Sequence, residues 1–327
     1  MVYLWLLIGL ALLLGGGETL VRGAVAIASR LRVPPLVIGL TIVALGTSTP
    51  ELTVSMGAAF KGAQDIVTGN VVGSNIANIL LVLGLTGLIA PINVEHVLMK
   101  RDSVFLIAVT VLMTGLALHG LVNAVMGAAM VLLFCAYTAY SYIVERDVAP
   151  AIEKAETEEL AAENIAEHSG VPDRLTVSVP VFLAGCAAVV YGADLLVDAA
   201  IEIARTFGVP EAVIGLSLVA VGTSLPELAV SALAAFRGHP AVALGNVIGS
   251  NIANILVILG ATAVVTPIAI VGQIARFDVW VMLAATVLLI PILMSDMRLS
   301  RLEAGFLTVA YVIYLIAIYS GWPAMRW

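Results

Sequence analysis

Charge is scarce in this 327-residue chain, where 11% of residues are Asp, Glu, Lys or Arg against 61% hydrophobic, with a mean hydropathy of +1.10. No soluble domain could hide that much apolar surface. Cysteine is nearly absent. Cys135 and Cys186 both fall in apolar runs, which argues against a structural disulfide or a thiolate metal cluster. The four histidines, His96, His119, His168 and His239, lie far apart and give a zinc site little support. Lys and Arg total 15 and form no patch, so nucleic-acid binding has nothing to stand on. The alternating segments of roughly ten residues that mark a membrane β-barrel are also missing.

Runs of about 20 apolar residues recur throughout, the length a helix needs to cross roughly 30 Å of hydrocarbon. The fold class expected is therefore all-α and polytopic in a membrane. Spans are expected near 2–27, 36–60, 66–90, 102–119, 121–144, 178–204, 212–236, 241–265, 276–295 and 303–321. The first of these lacks a basic leader region and a small-residue cleavage pattern, so it reads as a retained helix rather than a signal peptide. The net charge of −7 is a local matter, because nine of the 22 acidic residues sit in the segment 145–173. That segment matches no EF-hand spacing and reads as a solvated helix.

An internal repeat organises the rest. A shift of 176 residues lays "VIGLTIVALGTSTPELTVSMGAAFKG" on "VIGLSLVAVGTSLPELAVSALAAFRG", and "GNVVGSNIANILLVLG" on "GNVIGSNIANILVILG". Residues 37–84 and 213–260 share 31 identities in 48 positions without a gap. Pro34 with Pro210, and Pro91 with Pro267, keep the register on either side. Ten helices, five per half, place the second copy upside down relative to the first, an inverted-topology plan common in secondary transporters. The expected divisions are a first five-helix repeat at 1–144, an acidic cytoplasmic loop at 145–177 and a second five-helix repeat at 178–327. Inner loops then carry ten Lys and Arg against four outside, which puts both termini outside.

The repeated motif is odd company for a lipid-spanning helix. Pro50 and Pro226 lack the N–H that a helix needs there, so each helix should break or kink and release carbonyls. Freed carbonyls within a bilayer must find something to bind. Thr47 and Glu51 are four apart, as are Thr223 and Glu227, and share a face where the turn stays helical. A charged residue at mid-membrane costs about 2.5–3.5 kcal/mol on insertion scales, so each glutamate should face a cavity or a partner. No Lys or Arg lies in either helix to neutralise them. Two acids, several hydroxyls and loose carbonyls describe an oxygen cage for a mobile cation. In the second motif Ser74 and Asn78 are four apart, as are Ser250 and Asn254. Asn70 and Asn246 would cap or pin the helix start, while Asn75 and Asn251 point elsewhere. Small residues Gly69, Gly73 and Ala77 permit close helix approach. The plainer role for Gly, Ser, Thr and Asn in membrane helices is packing, and a glutamate can be a buried structural acid. Recurrence of the acid beside a helix break in both halves favours the cage. Glu18 and Asp194 also align under the shift and could be gate or interface groups.

The paired "GTS-PE" and "GN-IGSNIAN" segments resemble the α-repeats of the cation/calcium exchanger superfamily, specifically the prokaryotic sodium/calcium exchangers, over nearly the whole chain. The resemblance implies a rigid eight-helix bundle around a central ion site, against which the first helices of each half slide. It implies Glu51 and Glu227 as central Ca²⁺ ligands, with Thr47 and Thr223 completing the calcium site. Ser48, Ser74, Ser224 and Ser250, with the carbonyls of Ala44 and Ala220, would line flanking Na⁺ sites, and Asn78 and Asn254 would sit mid-cluster. Some archaeal exchangers and the potassium-dependent branch carry aspartate where this chain has Asn254, which speaks against K⁺ co-transport. The proton/calcium branch carries a further acid where Gly73 and Ser74 stand here.

The function expected is Na⁺/Ca²⁺ antiport, electrogenic, with no cofactor and only the transported ions bound, by a monomer in the prokaryotic inner membrane. H⁺/Ca²⁺ antiport is the alternative, and a channel the next. An enzyme is the remote class, since an intramembrane protease needs a Ser–His pair or two deep aspartates, and these histidines lie in or near loops. The acidic loop is too short for a separate Ca²⁺-sensing domain.

Overall fold

The computed structural model describes residues 2–31, 35–93, 96–160, 174–207, 220–295 and 298–320. Nearly all of them are helical. The first half runs α1 (Val2–Leu31), α2 (Leu36–Thr47), α3 (Thr49–Phe60), α4 (Gln64–Ile89), α5 (His96–His119) and α6 (Ala124–Leu160). The second runs α7 (Leu175–Thr206), α8 (Ala220–Thr223), α9 (Leu225–Phe236), α10 (Pro240–Val265), α11 (Ile274–Ile292) and α12 (Arg301–Tyr319). Eight of the described helices are long and apolar enough to cross a membrane, and nine if α2 and α3 count as one broken span. The start of the span expected at 212–236 lies outside the described residues, as do Pro34, Pro210 and His168.

The span expected at 36–60 is bent by 44° between α2 and α3, in line with the break expected at Pro50. Ser48 carries the break, with φ −82° and ψ 11°, and Ser224 repeats it with φ −89° and ψ 4°. Each proline then sits in the first turn of the following half-helix, where its missing N–H costs nothing. The helix expected to end at 144 continues to Leu160, so the acidic segment begins as an extension of the fifth span. Two short antiparallel ribbons also qualify the all-α expectation: β1 (Ile92–Asn93) pairs with β4 (Arg298–Leu299), and β2 (Leu121–Val122) with β3 (Ile268–Ala269). Each ribbon joins loops of different halves, and the two ribbons exchange under the 176-residue shift to within one residue. Two-residue pairings of this kind carry no hydropathy signal.

α4 and α10 are the inner helices. Of their apolar windows 72% and 83% is buried, whereas α1, α7 and α12 keep most of their surface outward. Glycine lets α10 lie directly on α2. A Cβ on Gly245 would meet the Leu36 carbonyl at 2.5 Å, and one on Gly249 the Leu40 carbonyl at 2.3 Å. α1 and α7 form a separate antiparallel pair with glycine at 9, 16 and 23 facing glycine at 185 and 192. Gly9 lies against Leu196, Gly16 against Val189 and Gly23 against Phe182.

Candidate cation site

The site forms where the two helix breaks face each other beside α4 and α10. Glu51 and Glu227 stand in the first turns of α3 and α9, where unpaired N–H groups and the helix dipole favour negative charge. The helix ends of α2 and α8 point carbonyls the other way, a polarity suited to a cation. Both glutamates are buried, at 1% and 0% exposure, and close enough for their charges to interact.

Contacts run between the halves. Ser48 Oγ donates to Glu227 Oε1 at 3.0 Å across the repeat boundary. The Thr47 hydroxyl reaches Asn246 Oδ1 at 3.0 Å and lies 3.5 Å from Ser250 Oγ. Its third neighbour is the Ala44 carbonyl at 3.3 Å, which also accepts the Ser48 N–H at 3.0 Å. Each cluster is thus assembled from the broken span of one half and the inner helix of the other. Thr223, Asn70 and Ser74 line one shared cavity, which matches that rule in the opposite sense. Ala220 lies three residues before Thr223 in the described part of α8, which ends in Thr223.

The oxygens left over define the chemistry. Both carboxylate oxygens of Glu51, Oε2 of Glu227, the Ser224 hydroxyl and the side-chain amides of Asn78 and Asn254 are buried without a hydrogen-bond partner. Unpaired buried polar atoms are costly, and so many in one cluster require an explanation. Among the described residues no group of three or more His, Cys, Asp or Glu could hold a metal. A cation here would therefore be held by two carboxylates supplemented with neutral oxygens, a donor set suited to Ca²⁺ and not to zinc.

Asn70 and Asn246 do not cap their helices, which start at Gln64 and Pro240; they pin them. Asn70 Nδ2 donates to the Glu51 carbonyl at 3.0 Å and to Ser55 Oγ at 2.9 Å. Asn246 does the same to the Glu227 carbonyl at 3.4 Å and Ser231 Oγ at 3.0 Å. Each amide ties an inner helix to the turn that carries the glutamate. Ser55 and Ser231 were missed as site residues, although the repeat displays them at matching positions. Asn75 and Asn251 do point elsewhere: Asn75 bonds the Val71 carbonyl, and Asn251 the Asn75 carbonyl. Thr49 is exposed and bonds the Leu45 carbonyl, whereas its counterpart is Leu225. π-helical turns begin at Asn78 and at Asn254, and another covers Gly39–Val43. Such turns recur at functional sites because they rotate a side chain out of helical register. No hydropathy pattern announces them.

The cavity beside Thr223 measures about 590 Å³ and extends from Asn70 and Ser74 past Asp278 and Tyr314 to Gly272 and Ile318. Thr47 and Asn246 are buried, whereas their counterparts Thr223 and Asn70 are half-buried; Ser74 and Ser250 are both buried. The two halves of the site are therefore not in equivalent surroundings, despite near-identical sequence.

Comparison with known proteins gives the family and the fold. Residues 1–143 and 177–320 match the family described as "Sodium/calcium exchanger protein". The chain is 39% identical over 323 residues to the putative antiporter CaxA of Alkalimonas amylolytica, covering 97% of this chain and 98% of that protein. It is 34% identical to the sodium/calcium exchanger MaX1 of Methanosarcina acetivorans, again over 97% and 98%. The solved structure of the sodium-calcium exchanger NCX_Mj soaked with zero Na⁺ and Ca²⁺ superposes with a TM-score of 0.82. It is 31% identical and covers 97% of this chain and all of that one. The same exchanger soaked with 2.5 mM Na⁺ and 0.1 mM Ca²⁺ gives 0.81 at 32% identity, with 98% of each chain covered.

Proposed function

The chain belongs to the sodium/calcium exchanger family, and from that premise we propose that it is a secondary active antiporter exchanging Na⁺ for Ca²⁺ by alternating access. The observation that carries this reading is the set of unpartnered buried oxygens on Glu51, Glu227, Asn78, Asn254 and Ser224, gathered where two helix breaks meet. In this reading Glu51 and Glu227 bind Ca²⁺ with the Thr47 and Thr223 hydroxyls. Ser48, Ser74, Ser224, Ser250 and the Ala44 and Ala220 carbonyls hold Na⁺. Asn78 and Asn254 contribute at the centre.

Ca²⁺ accepts six to eight oxygens in flexible geometry, whereas Mg²⁺ demands a tight octahedron and sheds water reluctantly. A cage built by four helix segments of mixed oxygen donors favours the larger, less exacting ion. Two carboxylates balance one Ca²⁺, while several Na⁺ give the site a different total charge, so exchange moves net charge. The architecture we infer has ten spans in two inverted five-helix repeats with both termini outside the inner membrane. The ribbons that exchange under the repeat shift and the antiparallel α1–α7 pair support it. The glycine seam leaves little side-chain interlocking between these two helices, which suits a pair that slides as a unit. The protein works as a monomer without a cofactor.

Proteoliposomes loaded with Na⁺ test the proposal. With any pH gradient collapsed, Ca²⁺ uptake should follow the outward Na⁺ gradient. Uptake that follows only an imposed pH gradient would replace Na⁺ by H⁺ as the coupling ion, and steady Ca²⁺ current without a counter-ion would indicate a channel.

A further inference from the structure

A buried carboxylate outside the site lines the cavity that leads to it. Asp278 is 6% exposed, sits at the end of the π-helical turn Ile274–Asp278, and shares the cavity wall with Asn70, Ser74 and Thr223. The Tyr314 hydroxyl donates to its Oδ1 at 3.1 Å and Gln273 Nε2 to its Oδ2 at 3.2 Å. Both donors are neutral. Among the described residues neither oxygen meets a Lys or Arg, and the nearest cation in sequence, Arg276, is exposed. The repeat mate of Asp278 is Asp102, buried likewise, with a Tyr137 hydroxyl at 2.8 Å. Asp102 has in addition the Arg101 guanidinium at 2.7 Å. At the position of Arg101 the second half has Phe277, so one copy is neutralised in place and the other is not.

We propose that Asp278 attracts Ca²⁺ into this cavity and sets the rate at which the ion reaches Glu51 and Glu227, which rests on the antiport reading above. A negative charge in a cleft with low-dielectric walls focuses the field and raises the local concentration of cations. Hydrogen bonds from a phenol and an amide hold the carboxylate in position without cancelling its charge. The ion passes Asp278 rather than staying there, because both carboxylate oxygens already accept a bond. The exposed Asp65 on the same cavity wall adds to the negative field at the entrance.

Stopped-flow Ca²⁺ binding to the purified full-length protein, run over a range of ionic strength, provides the test. Asp278→Asn should slow association by about tenfold at low salt, flatten the salt dependence and leave dissociation unchanged, the pattern of a steering charge. Phe277→Arg, which imports the guanidinium of the other half, should act in the same direction. In transport, Asp278→Asn should raise the Ca²⁺ concentration needed for half-maximal rate at this face while the maximal rate persists. Association rates and salt slopes matching wild type in both variants would overturn the proposal, as would an equal loss in dissociation, which marks a structural role. If wild type itself binds no Ca²⁺, it is the antiport reading that fails.

A different observation supports a second inference. Glu18 of α1 accepts from Arg22 at 2.7 Å and from Arg237, at the end of α9, at 2.8 Å. α1 lies hard against α9 here, since a Cβ on Gly17 would sit 2.6 Å from Leu233 Cδ1. Under the repeat shift Glu18 becomes Asp194, Arg22 becomes Asp198, Arg237 becomes Lys61 and Leu233 becomes Gly57. That second set is apart: a Cβ on Gly57 would meet nothing within 4 Å, and Asp194 and Lys61 are both exposed and form no ion pair among the described residues. The geometry points to a pair of alternating latches. Glu18–Arg237 holds the α1–α7 pair in the conformation described, and Asp194–Lys61 holds it in the opposite one.

Impermeant thiol labelling of Val54→Cys, a cavity-wall position, in a background with Cys135 and Cys186 replaced, reads the balance. Glu18→Gln should lower the labelling rate about threefold and Lys61→Gln raise it by a similar factor, the scale of an exposed ion pair. Shifts in the same direction, or none in either variant, would overturn the latch.

Discussion

Glu51 and Glu227 are interchangeable in sequence terms yet sit differently. Glu227 takes a hydrogen bond from Ser48, while both oxygens of Glu51 are unpartnered. In the proposed site, replacing either by glutamine would remove half the charge that balances Ca²⁺ while keeping the side chain's size. We expect Glu51→Gln or Glu227→Gln to reduce Ca²⁺ flux in proteoliposomes to background, with insertion and monodispersity unchanged. Near-normal flux in either variant would overturn the site. Asn70 and Asn246 act structurally. Asn246 ties α10 to the Glu227 turn and accepts from Thr47, so Asn246→Ala strands several buried partners. A cost of about 1–3 kcal/mol per stranded group follows, visible as a lower Tm of the purified protein. A Tm equal to wild type would remove Asn246 from that role.

The breaks at Ser48 and Ser224 are the elements on which everything else depends. Proline dictates where a helix must restart, and the half-helix that follows brings its positive end to the glutamate. How closely the inner helices approach is decided by glycine. Gly249 has the Leu40 carbonyl where its Cβ would be, whereas Gly73, its repeat mate, borders the cavity and a Cβ there would meet nothing within 4 Å among the described residues. Gly249→Ala should therefore destabilise by about 1–3 kcal/mol and Gly73→Ala by much less, measured as thermal unfolding of the two proteins in one detergent. Equal effects would contradict the packing described. The same pair shows how far sequence reading reaches. Both glycines stand in identical motifs, and nothing in the residue string says that one is pressed against backbone and the other borders a cavity. The π-helical turns at Asn78 and Asn254 are equally silent, because one extra residue per turn changes register without changing composition.

At the scale of the molecule, two similar halves surround one site in different ways, with a cavity reaching half-buried Thr223 and Asn70 while Thr47 and Asn246 are enclosed. Alternation between these surroundings is what antiport requires. Net charge movement gives a direct check. An imposed potential contributes about 2.3 kcal/mol per elementary charge per 100 mV, so a potential favouring net inward charge should shift Na⁺-driven Ca²⁺ flux in vesicles clamped with K⁺ and valinomycin. Flux insensitive to potential would mean that the exchange is electroneutral.

Composition and repetition determined much by themselves. Sustained apolar runs permit only spanning helices, and two copies of an acid beside a proline leave few uses other than holding a cation. The helical membrane class, the exchanger family and the residues proposed to hold the ion were thus legible without coordinates. Tertiary structure decided which atoms meet. Ser48 with Glu227, Thr47 with Asn246 and Glu18 with Arg237 join residues some 180 to 220 positions apart, and no local pattern encodes such pairings. It also decided that near-identical halves differ, since a protein moving an ion between two sides cannot present both copies in the same state at once. Sequence symmetry is a property of the chain, and its breaking is a property of the packed conformation.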